Sequence, residues 1–329
     1  MSLPRVPPCL GCLVQVRAAT VVSDGELAVK EHPDPRPGPG EVLVRVRAAG
    51  INGADLHQLA GRYPAPPGSP PDIPGLELAG EVAERGPGAE RFADGDRVMA
   101  IVGGGGQAEL AVVHERQLMP VPASLDWVAA GGLPEVFTTA HDALFTQAGL
   151  QAGERLLVHG GAGGVGTAAI QLGAAAGASV TATVRDQSLH EDCAALGAIP
   201  LPADGFAEQG PFDVILELVG APNLPGNLNA LAVSGRIMVI GIGAGAKAEV
   251  NLGVLMGKRG RVQGSTLRPR PLEEKALTAR LVERHVLPLF DRGQARVPVA
   301  ATYPLDEVAA AYERFAAGGK LGKIVLTMG

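Results

Sequence analysis

Six consecutive residues near the middle of the chain carry the spacing of a phosphate-binding turn. Gly161, Gly163 and Gly166 fit G-x-G-x-x-G, with Ala162, Gly164 and Val165 filling the pattern. The first glycine permits a tight turn, and the second lets a pyrophosphate approach the backbone. The third lets the next helix pack close to the strand before it. The free N–H groups at that helix's start, and its positive dipole end, then face the phosphates. In a chain with 46 glycines the spacing alone would mean little, so its flanks decide. Arg155–His159 is a short apolar run that reads as a strand buried on both faces. Residues 167–176 read as an Ala-rich helix and residues 179–184 as a second strand.

What else reaches the cofactor depends on the ends of the later strands. After the second strand, an acid would bind the ribose 2′-OH of NAD, whereas an arginine would accommodate the 2′-phosphate of NADP. Arg185 and Asp186 stand there side by side. Arg185 favours NADPH, with NADH as the alternative. Val219, Gly220, Gly241 and Ile242 follow later strands and are expected to line the cleft over the nicotinamide.

Such a turn needs a doubly wound sheet beneath it. From Arg155 strands and helices alternate, with strands expected at 155–159, 179–184, 213–218, 235–242 and 261–266. That pattern predicts a parallel sheet with right-handed crossovers. Upstream the chain reads mostly as strands and turns. Strands are expected at 16–22, 27–31, 41–47, 76–85, 97–102 and 107–114, with a short helix at 52–61 and a proline-stiffened loop at 64–74. Two helical stretches, broken near Gly131-Gly132 and Pro134, fill residues 125–148. A long amphipathic helix is expected over 271–289, a second over 305–317 and a closing strand over 322–327. There are no internal repeats.

Composition narrows the classes. A chain of 329 residues can form two domains with full cores. It has no uninterrupted apolar run of membrane-spanning length, so no membrane association is expected. Prolines at positions 4, 7 and 8 make its start a poor signal peptide, and a cytoplasmic protein is the expectation. The net charge of −6 gives no electrostatic reason to expect nucleic acid as a partner. Three cysteines cannot build a disulfide framework, which fits a reducing compartment. Cys9 and Cys12 form a C-x-x-C pair, but no second pair completes a zinc site. Pro7 and Pro8 stand where a thioredoxin-like site needs a strand. Residues 1–15 read as a loose extension.

Several stretches add a resemblance. Ala48-Ala49-Gly50-Ile51-Asn52-Gly53-Ala54-Asp55, Gly61-Arg62-Tyr63-Pro64 and Pro74-Gly75-Leu76-Glu77-Leu78-Ala79-Gly80-Glu81-Val82 precede the glycine turn. Gly322-Lys323-Ile324-Val325 closes the chain. In this order they resemble the medium-chain dehydrogenase/reductase superfamily and its quinone oxidoreductase group, from about Val16 to the C-terminus. Gly104-Gly105-Gly106-Gln107-Ala108 and Gly264-Ser265-Thr266-Leu267-Arg268-Pro269-Arg270 are similar to the subgroup of the tumour-suppressor-induced quinone reductase. The resemblance implies an α/β fold, with a Rossmann doubly wound parallel sheet plus a β-rich GroES-like catalytic domain. Residues 16–122 and 267–329 would form the catalytic domain and residues 123–266 the cofactor domain. It also implies a homodimer built through the cofactor domains, by pairing strands near residues 261–266.

Zinc alcohol dehydrogenases of this superfamily carry a cysteine in the segment matching Gly50-Ile51-Asn52 and a histidine in Gly-His-Glu. Asn52 and Leu76 stand at those places here, and neither can replace thiolate and imidazole as ligands. The family's four-cysteine structural site is out of reach of Cys9, Cys12 and Cys193, and the seven histidines are scattered. A zinc-free enzyme is expected, with Glu77 structural. Without a Lewis acid, alcohol oxidation lacks its usual means of stabilising an alkoxide. Quinones and enones instead take hydride into a conjugated system that spreads the charge. The protein then supplies orientation, a dry apolar cleft and a few hydrogen bonds.

Carried over residue by residue, the resemblance puts Asn52, Tyr63 and Thr139 beside the nicotinamide or the acceptor. Tyr63 reads either as a hydrogen-bond or proton donor to the reduced oxygen, or as a loop tyrosine anchoring the proline-rich segment. Asn52 reads equally as the cap of the following helix. Asp55 lacks the arginine often found four residues on, where Leu59 stands, which removes its presumed ion-pair partner. His57 reads as solvated surface and His159 as buried-strand packing. Lys323 either contacts the cofactor or closes the domain. The lysine often found shortly after Arg185 in NADPH-dependent quinone reductases is replaced by Ser188 and Leu189.

The leading expectation is an NADPH-dependent reductase of small-molecule quinones or enones. An enoyl-thioester reductase is the rival within enzymes, and a non-catalytic, crystallin-like NADPH-binding protein the rival outside them. The acidic balance argues against the RNA binding linked to some relatives.

Overall fold

A computed structural model of the protein describes residues 15–329 apart from Asp24. The expected N-terminal extension, with Cys9 and Cys12, therefore lies outside the described residues except for Gln15.

Alternating branched and small or polar residues make the strands of the first third. β1 (Gln15–Ser23) and β2 (Glu26–Pro33) pair antiparallel. β3 (Glu41–Ile51) leads into the short helix α1 (Gly53–Leu59), then β4 (Glu77–Arg85), β5 (Arg97–Ile101), β6 (Leu110–His114) and β7 (Met119–Pro120). Helices α2 (Trp127–Gly131) and α3 (Pro134–His141) follow, and α3 runs on as a π-helix over Asp142–Gln147.

The second sheet starts at β8 (Arg155–His159), followed by α4 (Gly164–Ala175) and β9 (Ser179–Thr183). Next come α5 (His190–Ala195), β10 (Ala198–Leu201), β11 (Phe212–Glu217), α6 (Leu224–Ala230) and β12 (Leu231–Val239). Then α7 (Leu252–Lys258) precedes β13 (Arg261–Gly264). The order β10-β9-β8-β11-β12-β13 is parallel throughout. Counted from β8 this is 3-2-1-4-5-6, the Rossmann arrangement.

The chain closes through α8 (Leu272–His285), α9 (Leu287–Asp291), β14 (Val299–Pro304), α10 (Val308–Ala316) and β15 (Lys323–Thr327). β15 pairs antiparallel with β3 and parallel with β14, so the C-terminal strands complete the β-rich sheet. Its order is β14-β15-β3-β4-β5-β7, with β6 also on β3.

Several expectations shift. The strand expected over 235–242 runs over Leu231–Val239, so Gly241 and Ile242 lie past its end, and the strand expected over 107–114 begins at Leu110. The helix expected over 167–176 begins three residues earlier, because Gly164 and Gly166 form its first turn. Glycine's poor helix propensity hides that start. The single helix expected over 271–289 is two, broken at Val286 with Pro288 in the first turn of α9, where its missing N–H costs nothing.

One hydrophobic cluster runs from Ala79 and Met99 of the β-rich sheet through Leu133 and Phe137 to Leu156 and Val158 of β8. Phe137 meets Phe290 of α9 edge-on, with ring centroids 4.9 Å apart. Helix α3 thereby packs on β4 and β5 of the β-rich sheet and on α4, which follows the first strand of the parallel sheet.

Candidate functional site

The left-handed residue of the glycine turn is Gly160, one position before the Gly161 expected to permit it. Gly160 adopts φ 68°, and the Gly161 N–H donates to Thr183 O at 2.9 Å, tying the turn to β9. A Cβ on Gly161 would lie 2.8 Å from Ala182 Cβ, and one on Gly166 would lie 2.3 Å from Gly160 O. Neither position has room for a side chain. A Cβ on Gly163 would meet only Gly160 O, at 3.3 Å, so that face of the turn is open. Gly163 precedes α4, and the N–H groups of Gly164, Val165 and Gly166 have no intrahelical acceptor at its positive end. The Gly322 N–H donates to Ala162 O at 2.8 Å, joining the turn to the approach of β15.

Below the turn lies a buried polar cluster. Lys323 is 2% exposed, and its Nζ donates to Ile51 O at 2.8 Å and Asn52 Oδ1 at 2.6 Å. The same ammonium is 2.6 Å from Glu77 Oε1, which also accepts from Asn52 Nδ2 at 2.9 Å. Glu77 Oε2 accepts the Glu135 N–H at 2.8 Å. Two candidates, Asn52 and Lys323, are thus bonded to each other, and Glu77 joins β4, β15, α1 and α3. A Cβ on Gly164 would meet Val136 Cγ1 at 2.7 Å and Lys323 Cδ at 3.0 Å, so this cluster supports the turn directly.

Asn52 is also the N-cap of α1, and Asp55 Oδ2 accepts the Asn52 N–H at 2.8 Å, half of a capping box. Asp55 Oδ1 accepts the Gly75 N–H at 3.2 Å. Two backbone donors take the place of the missing arginine. Burial still pushes the Asp55 carboxyl up to about 6.

Helix α3 places Glu135 and Thr139 one turn apart on one face. Thr139 Oγ1 is buried without a hydrogen-bond partner. Burial, reinforced by the neighbouring Glu77 carboxylate, pushes the Glu135 carboxyl up to about 8. Across from it, Arg268 donates to Tyr63 O at 2.9 Å, Gly103 O at 2.8 Å and Gln58 Oε1 at 2.5 Å. Its guanidinium also lies over the Tyr63 ring, 4.7 Å from the centroid. The residues around Arg268 therefore pin the tyrosine loop. Burial raises the Tyr63 phenol above its usual range.

A second buried network ties β8, β9, β11 and α6 together. Asn227 Nδ2 donates to Glu217 Oε2 at 2.8 Å, which turns its carbonyl toward His159 Nε2 at 2.7 Å. His159 Nδ1 faces Thr183 Oγ1 at 3.0 Å, and burial lowers the imidazole pKa. His159 is thus a neutral linker as well as a packing residue. Glu217 Oε1 accepts the N–H groups of Val219 at 2.7 Å and Gly220 at 2.8 Å, fixing the turn after β11. Gly241 follows β12, its N–H bonded to Glu217 O at 3.0 Å, and Ile242 is half exposed beyond it.

Arg185 and Asp186 stand apart from these clusters, after β9. Arg185 is exposed, its Nη2 3.9 Å from where a Gly318 Cβ would sit. Asp186 caps the short turn Gln187–Leu189, accepting from Ser188 N at 3.0 Å and Ser188 Oγ at 2.7 Å.

Glu135, Glu217 and Arg268 were not legible as site residues. The signal available was a lone charge in an apolar stretch, as in Val214-Ile215-Leu216-Glu217-Leu218. Among the described residues, no three His, Cys, Asp or Glu side chains are gathered to hold a metal ion. No described helix is long and apolar enough to cross a membrane.

Two family models match the chain, an alcohol dehydrogenase GroES-like domain over residues 38–123 and a zinc-binding dehydrogenase over residues 200–326. The quinone oxidoreductase of Rattus norvegicus is 30% identical over 310 residues, covering 89% of this chain and 91% of that protein. Erythronolide synthase EryA2 of Saccharopolyspora erythraea is 35% identical over 339 residues, covering 99% of this chain but 9% of that protein. The crystal structure of AibC matches with a TM-score of 0.84 at 28% identity, over 100% of both chains.

Proposed function

The chain belongs to the medium-chain dehydrogenase/reductase superfamily, as an oxidoreductase related to quinone oxidoreductases, and from that premise we propose that it reduces quinones or other conjugated carbonyl compounds with NADPH, without zinc. The observation that carries this reading is the cluster of Asn52, Glu77 and Lys323. The carboxylate is matched by an ammonium of the chain, with an amide and the buried Leu76 where a metal would need thiolate and imidazole. Such a site favours an acceptor that disperses its own charge.

The residues fit a dinucleotide. The open face at Gly163 and the free N–H groups of α4 suit a pyrophosphate. The unpartnered Thr139 hydroxyl suits an amide or carbonyl in the cleft. Arg185 is free to pair with a 2′-phosphate, while Asp186 is held by Ser188. When bound, the reduced nicotinamide supplies the hydride. Tyr63, fixed by Arg268, orients the acceptor oxygen by a hydrogen bond, and the Val219–Gly220 turn walls the cleft.

A homodimer in the reducing cytoplasm completes the reading. β13 is an unpaired sheet edge, flanked by the exposed Leu252 and Met256 of α7. The likeness to parts of polyketide synthases favours enoyl thioesters as the second substrate class. Steady-state rates with quinones, enones and enoyl thioesters, each with NADPH and NADH, test the assignment. Quinones or enones should be the better substrates and NADPH the better donor. One tightly held zinc per chain by elemental analysis would sink the zinc-independent chemistry.

A further inference from the structure

Among the described residues of this cluster, Glu135 is the acid whose carboxyl has no partner. Its N–H donates to Glu77, but its carboxyl makes no hydrogen bond or ion pair with any described residue. It is half-buried in the first turn of α3, one turn before Thr139, whose hydroxyl is likewise unpartnered. Val136, its neighbour, packs against Gly164 of the phosphate turn. The charged and titratable groups that act on it come from five separate segments. They are Asp55 of α1, Tyr63 of the following loop, Glu77 of β4, Lys323 of β15 and Arg268 after β13. A carboxyl so placed borders the cofactor turn on one side and the tyrosine loop on the other.

We propose that Glu135 is the proton donor of the reduction, an assignment that rests on the reductase reading above. The acceptor takes a hydride from the reduced nicotinamide at one end of its conjugated system. The Glu135 O–H bond breaks as its proton passes to the carbonyl oxygen at the other end. The acceptor has then gained two electrons and two hydrogens, giving a hydroquinone or an enol. The nicotinamide has been oxidised, and the Glu135 carboxylate recovers its proton from water.

The electrostatics support this role. With its pKa pushed up to about 8 by burial and Glu77, Glu135 holds its proton at neutral pH and can still release it. Tyr63, raised above the usual phenol range, keeps its proton more firmly and is suited to orient the acceptor. Lys323 is committed to three acceptors beneath the turn.

The test is Glu135→Gln, which keeps the shape and neutrality of the protonated side chain. Wild-type kcat/KM with NADPH and a quinone should fall as pH rises above about 8, when the donor is lost. Glu135→Gln should lower kcat/KM at neutral pH by about two orders of magnitude and abolish that fall. NADPH affinity by fluorescence titration should be unchanged, and Tyr63→Phe should keep the wild-type pH profile. Infrared difference spectra provide a readout without turnover. The wild-type protein should show a protonated-carboxyl band lost between neutral and alkaline pH, absent from Glu135→Gln. A variant that retains the wild-type rate and pH profile, or the same titrating band in both proteins, would overturn the proposal. A wild-type protein inactive on every acceptor would overturn the reductase reading itself.

Discussion

Lys323 Nζ lies 2.6 Å from Glu77 Oε1, with both side chains sealed from solvent and the last strand thereby bolted to the site. A buried pair of this kind is costly to break from one side, because the remaining charge has no water to turn to. Lys323→Met should therefore destabilise the protein by roughly 3–5 kcal/mol in denaturant unfolding. The double variant Lys323→Met/Glu77→Leu should lose less, since no lone charge remains. Equal stability of wild type and Lys323→Met would contradict the pairing.

The glycine turn separates two kinds of substitution. Gly163→Val would put a Cβ against Gly160 O alone, at 3.3 Å, a contact the turn can relieve by a small shift, so it should weaken NADPH binding while the fold survives. Gly166→Ala would drive a Cβ to 2.3 Å from Gly160 O and should lower thermal stability before any ligand is added. Cofactor fluorescence titrations and melting curves of the two variants distinguish these effects. Unchanged NADPH affinity in Gly163→Val would mean the phosphates bind elsewhere.

The strands that frame this turn could be read because their patterns are strong. β3 alternates, and β8 is apolar and flanked by glycines, so each announces its own burial. β10 and β14 were missed, since four and six residues with weak patterning depend on neighbours that only the folded chain supplies. The site divides in the same way. Glycine spacing revealed the phosphate turn, whereas Glu135, Glu217 and Arg268 became site residues only through tertiary contacts. Asp55 shows the limit of reading pairs from spacing. Its partners are the N–H groups of Asn52 and Gly75, which no side-chain motif records.

Cofactor choice should follow Arg185. A guanidinium facing a 2′-phosphate makes charge-assisted hydrogen bonds worth roughly 1.5–3 kcal/mol. Arg185→Ala should then lose about one to two decades in NADPH affinity, with NADH little affected. Asp186→Ala, which removes a turn cap held by Ser188, should leave NADPH unharmed or slightly improved. An Arg185→Ala enzyme with the wild-type NADPH/NADH ratio of kcat/KM would overturn the assignment.

The exposed edge of the parallel sheet predicts association. Val262 on β13 and Met256 on α7 should lie between two copies. Light scattering at micromolar concentration should give a dimer mass, and Val262→Pro should shift it toward monomer by blocking strand pairing. Monomer alone for the wild-type protein would contradict the pairing.

The central claim is hydride transfer from NADPH to a conjugated acceptor at a site built on Asn52, Glu77 and Lys323. Mixing the protein with NADPH and 1,2-naphthoquinone, and following absorbance at the nicotinamide band, tests it most directly. The account predicts catalytic loss of that absorbance, undiminished after exhaustive treatment with a metal chelator. No loss above the uncatalysed rate, or a loss abolished by the chelator and restored by zinc, would contradict it.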